Sequence, residues 1–162
     1  MICQQQVSEF SGFCFSFMSQ QYLIVDGHSV IFAWPELRAL HNQKTALARE
    51  ELVRALTHYQ DYTGVNVVLV FDGKGVEISH EFIQGGIQIF YSGRGRTADD
   101  LIERLVAKYG RTYLITVATS DLMEQQTVIS FGADCVSAET LHTMLANARR
   151  EFSRDLKRRN RS

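Results

Sequence analysis

The sequence predicts a single α/β domain built on a mainly parallel five-stranded sheet with helices on both faces. Two observations carry this. Short apolar runs of strand length recur along the 162 residues, and segments of helical length separate most of them. Parallel neighbours require such crossovers, and covering both sheet faces makes the strands read as continuous apolar runs rather than alternating ones.

Tyr22-Leu-Ile-Val-Asp26 is the first run and closes on Asp-Gly, the pattern of a doubly buried strand followed by a turn. Ala46 to Tyr62 carries Leu47, Leu52, Val53, Leu56 and Tyr59 near helical spacing, with Gly64 as its stop. Asn66-Val-Val-Leu-Val-Phe-Asp72 repeats the first pattern, and Gly86 to Tyr91 is the third strand, opening into the loop Ser92-Gly-Arg-Gly-Arg96. Thr97 with Asp100 three residues on is a capping-box signal, with Asp in the usual Glu or Gln place. The core face of the helix it starts is expected at Ile102, Leu105, Val106 and Tyr109. Tyr113 to Ala118 is a fourth strand, Thr119-Ser-Asp121 opens a helix that runs to Gly132, Asp134-Cys-Val136 is a fifth strand, and a last helix begins at Ala138. The order is βαββαβαβα.

An apolar content of 45% suits one globular domain with a real core. One proline and no low-complexity stretch leave no internal boundary. The expected organisation is an N-terminal extension over residues 1–21, with Met18 as an alternative start, a domain over 22–148, and a basic tail over 149–162. Seven of the 17 basic residues lie in that tail against two of the 18 acidic ones, so a net charge of −1 combines an acidic body with a cationic end. Such an end is a candidate footprint for a polyanion, or else a solvated helix terminus. The apolar stretch Phe10 to Met18 has no preceding Lys or Arg and no Ala-x-Ala site, which argues against a signal peptide, and it is too short to span a membrane. Cys3, Cys14 and Cys135 show no CxxC spacing, which favours a reducing, cytoplasmic setting without membrane attachment.

The chemistry is expected at one sheet edge. Asp26, Asp72 and, after a two-residue extension, Asp121 follow strand-like runs, and ligands of open α/β sheets bind just outside the carboxyl ends of strands. Asp99 and Glu103 stand four apart near a helix start and share a face. Each aspartate alone reads as well as a turn or capping residue, but together at one edge they form a cluster that like-charge repulsion disfavours. A hard divalent cation, Mg²⁺ or Mn²⁺, resolves that repulsion and supplies phosphate chemistry. The motifs of rival chemistries are missing: there is no GxxxxGK[ST], no GxGxxG after the first strand, no GxSxG, and no second aspartate two residues after Asp26. Of the histidines only His28 adjoins the expected site; His41, His58, His80 and His142 make no metal pattern and are expected at the surface.

Four blocks resemble a known family. Asp26 through Leu37, Val70-Phe-Asp-Gly-Lys74, Tyr91 through Asp99 with Ile102-Glu103, and Val117-Ala-Thr-Ser-Asp121 with Glu124-Gln125 are similar to the NYN domain, specifically its YacP-like subgroup, over about residues 22 to 147. The resemblance implies a three-layer, PIN-like fold and a metal-dependent ribonuclease, and one branch of the family is a ribosome-associated endonuclease acting on mRNA. It implies metal candidates at Asp26, Asp72, Asp99 and Asp121, with Glu103 as a further one. Asp26, Asp99 and Asp121 are expected to hold the metal and carry catalysis, and Asp72 to line the rim. Lys74, Arg94 and Arg96 leave the same edge and are expected to meet phosphate oxygens. Thr119 and Ser120 are expected to donate to a carboxylate or phosphate, or to close a turn. Where the family commonly reads Asp-Gly-Tyr-Asn this chain has Asp26-Gly27-His28-Ser29, so the substrate or supporting contact expected at Ser29 uses a hydroxyl in place of an amide. The expected partner is RNA, either mRNA or another single strand, with the ribosome as a family-implied partner. A catalytically weak RNA- or ribosome-binding module and a small-molecule phosphohydrolase are the alternative readings.

Overall fold

The computed structural model describes residues 20–73, 79–82 and 86–161. The contact expected at Lys74 and nearly all of the 1–21 extension lie outside the described residues. Twelve elements follow in chain order: β1 (Gln21–Asp26), α1 (Gly27–Ala33), α2 (Pro35–Gln43), α3 (Thr45–Thr63), β2 (Asn66–Phe71), β3 (Ser79–Phe82), β4 (Gln88–Tyr91), α4 (Ala98–Tyr109), β5 (Leu114–Ala118), α5 (Leu122–Ser130), β6 (Asp134–Val136) and α6 (Ala138–Arg159).

The sheet runs β3-β4-β2-β1-β5-β6 and is parallel at every pairing except β3 with β4. It therefore has six strands where five were expected. The added one, β3, is an edge strand of sequence Ser-His-Glu-Phe, too short and polar to stand out as an apolar run. Chain order reverses direction at β1, which pairs with β2 on one side and β5 on the other. That switch point opens a crevice at the carboxyl ends of β1 and β5.

Alternation along the buried strands sorts side chains into two cores. Leu23, Val25, Val67, Leu69 and Phe71 face α1, α2, α3 and α6, meeting Val30, Leu37, Leu52, Leu56 and Leu141. Ile24, Val68, Val70, Ile115 and Val117 face α4 and α5, meeting Leu101, Ile102, Val106 and Val128. The fold is thus three-layered, as the family resemblance implies. The helix faces differ in detail from the expected ones: Tyr109 and Leu47 are exposed, while Leu101 joins the core. Both residues sit near a helix end, where the apolar stripe drifts off the core.

Helices α1 and α2 are absent from the expected element order. His28-Ser-Val-Ile-Phe32 is rich in β-branched and aromatic residues with weak helix preference, which hides α1. Its start is set by Asp26, whose carboxylate accepts from the Ser29 N–H at 3.2 Å. Trp34 separates the two helices, Pro35 takes the first position of α2, and the Trp34 indole N–H donates to the Ala138 carbonyl at 2.8 Å, tying this corner to α6. Helix α3 stops at Gly64, which adopts the left-handed conformation at φ 73°. Among the described residues no helix is long and apolar enough to cross a membrane.

Gly27 lets α1 start directly against β2, because a Cβ there would overlap the edge of the buried Phe71 ring. Gly27→Ala is expected to destabilise the protein by about 1–3 kcal/mol through overpacking, read as a lower urea midpoint at unchanged slope.

Candidate metal centre

Three carboxylates meet at the switch point. Asp26 ends β1, Asp99 lies in the first turn of α4 and Glu124 in the first turn of α5, and one oxygen of each lies within 4.8 Å of the others. Asp26 and Glu124 are buried, and Asp99 is half-buried. Neither oxygen of Glu124 has a hydrogen-bond partner among the described residues, although both are shut off from solvent. The nearby Thr119 side chain favours the charged form, and its hydroxyl oxygen at the same time accepts from the Asp121 N–H at 3.1 Å.

Burial is the largest influence on all three acids, and mutual repulsion adds to it. It pushes Glu124 up to about 8, with the charges of Asp26, Asp99 and Asp121 acting in the same direction. Asp26 is raised to about 6 by burial and by the charges of Asp99 and Asp72, against the lowering effects of the Ser29 N–H and of His28. Asp99 is raised by burial and then by Asp121, Asp72, Glu103 and Asp100.

The other expected site residues fall around this trio. Asp121 caps α5, its carboxylate accepting from the N–H groups of Met123 at 2.8 Å and Glu124 at 3.2 Å, and its charge acts on Asp99 and Glu124 from outside the trio. Asp72 accepts from the Ala98 N–H at 2.7 Å, so it helps start α4 while adding to the negative field at Asp26 and Asp99. Glu103 raises Asp99 from the next turn and lines a groove along α4 with Arg96, Asp100 and Arg104. The capping box of Thr97 and Asp100 forms in full. Arg94 and Arg96 are exposed in the turn closed by the Arg96 N–H to the Gly93 carbonyl at 3.1 Å.

The loop between β5 and α5 is braced from several sides. The Ser29 hydroxyl accepts from the Ser120 N–H at 2.7 Å, bridging α1 to this loop. Thr119, fully buried, holds the Asp121 N–H with its hydroxyl, and its carbonyl accepts from the Gln125 side chain at 2.9 Å. Ser29 and Thr119 thus act on the acids through the backbone that carries them, and Ser120 meets Ser29 through its backbone N–H. Glu124 went unrecognised as a potential ligand because no turn signal marks it. The available clue was its position three residues after Asp121, which puts it in the first turn of a helix starting at the same edge.

The donor set fits a hard divalent cation. It consists of oxygen atoms only, it carries more negative charge than its burial tolerates, and both oxygens of one carboxylate are buried with no cation beside them among the described residues. Asp26, Asp99 and Glu124 are the residues able to hold such an ion, with Asp121 and Asp72 at its margin.

The raised acids make metal-free stability depend on pH. Asp26 and Glu124 bind a proton more tightly folded than unfolded, so their contribution is full below about pH 4, the ordinary carboxylate range, and is lost as pH rises through about 6 and about 8. In chelator the unfolding free energy should therefore fall from about pH 5 to about pH 8.5, with Asp26 alone contributing on the order of 1 kcal/mol of that fall. Glu124→Gln should flatten the upper part of that decline in thermal unfolding scans, and an unchanged slope would contradict the burial of this charge.

Comparison with known proteins places this fold and sequence in a family. The family described as the YacP-like NYN domain matches residues 23–162. A Bacillus subtilis (strain 168) protein described as uncharacterized protein YacP is 33% identical over 140 residues, covering 84% of this chain and 81% of the relative. Two crystal structures of Rae1 (YacP) from Bacillus subtilis superpose on the fold. One, of a single-substitution mutant, gives a TM-score of 0.73 at 30% identity over 88% of this chain and 84% of that one. The other gives 0.71 at 33% identity over 86% and 81%. With fold, length and sequence all matched, the chain belongs to the YacP-like NYN family of nuclease-type, RNA-related domains.

Proposed function

We propose that this domain is a metal-dependent endoribonuclease that cuts single-stranded RNA, with Mg²⁺ or Mn²⁺ held by Asp26, Asp99 and Glu124. The observation that carries the reading is the convergence of these three carboxylates within 4.8 Å, with the two oxygens of Glu124 buried and unpartnered. A bound divalent cation supplies water activation and offsets the charge that builds on a scissile phosphate. The chain's own contribution is positional. Asp26 and Glu124 are fixed by buried backbone, Asp121 keeps the start of α5 in register through its two accepted N–H bonds, and Asp72 does the same for α4. Ser29 supports an active site rather than a decayed one, because its hydroxyl makes a 2.7 Å contact that braces the Thr119–Asp121 loop. Arg94 and Arg96, in the exposed turn before α4, and the seven basic residues after Ala148 are further candidates for phosphate contact. RNA bound to the ribosome is a target consistent with the family, and the cytoplasm is the setting this implies.

Purified protein should cleave an unstructured RNA with Mg²⁺ or Mn²⁺ and not in chelator. Asp99→Asn and Glu124→Gln should each lower the rate at least about 100-fold while keeping the fold, since each removes charge from the site rather than packing. Cleavage that survives chelation or either substitution would contradict the reading. Turnover of phosphomonoesters but not RNA would point instead to a small-molecule phosphohydrolase.

A further inference from the structure

A small recess of about 30 Å³ lies beside the acidic site, and its rim is cationic and aromatic. It is lined by His28, Ile31, His41, Arg49, Phe71 and Asp72, with Thr45 at its edge, so it shares Asp72 with the carboxylate rim. Its position next to Asp26 is marked by His28, whose field lowers the Asp26 carboxyl.

Arg49 is held against an aromatic ring rather than in an ion pair among the described residues. Its guanidinium lies 4.9 Å from the centre of the Phe71 ring, which is buried and stacked on Tyr91 at 5.9 Å. Arg54 pairs with Glu51 and His142 with Glu36, whereas Arg49 makes no ion pair among the described residues. Among the described residues that line it, Asp72 is the acid, and its Oδ1 is engaged by the Ala98 N–H. A guanidinium stacked on a ring keeps its in-plane N–H donors free for a planar or tetrahedral anion.

An aromatic ladder rises from the same place. The His28 ring lies 4.5 Å from Phe32, and Phe32 lies 4.9 Å from His41. Phe32 is 39% exposed, a large apolar face left in water on the first helix after Asp26. The Nδ1 atom of His41 is shut off from solvent with no hydrogen-bond partner among the described residues. A neutral imidazole still offers one N–H, so both histidines can donate in either protonation state.

We infer that the recess of His28, His41 and Arg49, with Phe32 beside it, is a nucleotide subsite of the substrate strand: Arg49 receives a backbone phosphate next to the scissile one, and a neighbouring base stacks on Phe32. This rests on the nuclease reading and extends it to a defined path for the strand, leaving the carboxylates on the α1–α3 side. A cation plus an exposed ring beside an acidic catalytic edge is the combination that single-stranded nucleic acid requires, since phosphate contacts give affinity and ring stacking gives base contact without sequence readout.

The test separates charge from stacking. Binding of a fluorescein-labelled oligouridine of about ten nucleotides is followed by anisotropy in chelator at several salt concentrations. Arg49→Gln should weaken binding roughly 10-fold and make the salt slope shallower by about 0.7, and Arg49→Lys should restore the slope. Phe32→Ala should weaken binding at an unchanged slope, because stacking releases no counterion. Melting temperatures of the variants identify any that fail to fold, and Phe32→Ala and Arg49→Lys remain informative if Arg49→Gln does not. Unchanged affinity in these variants, a slope change in Phe32→Ala equal to that in Arg49→Gln, or no binding by any form overturns the subsite. Metal-dependent cleavage by the unmodified protein, assayed in parallel, decides the nuclease reading separately.

Discussion

The structure is organised around one electrostatic conflict. Three carboxylates lie within 4.8 Å of one another, two of them buried, and both oxygens of Glu124 are shut off from solvent. Burying an ionised carboxylate without a partner costs several kcal/mol, and nearby like charges add to that cost. Without a cation the protein relieves the conflict by holding protons, which is why Asp26 and Glu124 are pushed up to about 6 and about 8. A hard cation held there would relieve the same conflict, which is the condition the proposed function requires.

Much of the nearby architecture keeps these acids from drifting apart. The reversal of strand order at β1 brings the carboxyl ends of β1 and β5 side by side, so Asp26 and the start of α5 meet there. Two helix starts are then fixed by acids at the margin: Asp121 caps α5 and Asp72 reaches the first N–H of α4. These residues serve packing and electrostatics at once, since each cap also deepens the negative field of the trio. The Ser29 hydroxyl and buried Thr119 brace the connecting loop, so the short polar side chains at this edge have structural work whether or not they touch substrate.

The parts of this arrangement legible in the sequence were those set by local rules. Doubly buried strands such as Asn66–Phe71 read as unbroken apolar runs, and Thr97 with Asp100 announced α4 through its capping box. The meeting of Asp26 and Asp99 was legible because one ends a strand and the other opens a helix at the same edge. What stayed hidden depended on tertiary context. Helix α1 is written in residues that prefer strands and holds because Asp26 caps it and Val30 and Ile31 bury against the sheet. Glu124 resembles any glutamate in a helical first turn until the crossover geometry turns it into the crevice. His41 on α2 and Arg49 on α3 meet His28 and Asp72 only through the packing of α1, α2 and α3.

The central claim is that the trio exchanges protons for a divalent cation. Calorimetric titration of the metal-free protein with Mn²⁺ near pH 7, repeated in buffers of different ionisation enthalpy, measures both the affinity and the protons released. The expected result is binding that releases protons, tightens as pH rises from about 6 to about 8, and is lost or strongly weakened in Glu124→Gln. Binding without proton release, or equal binding by Glu124→Gln, would contradict it.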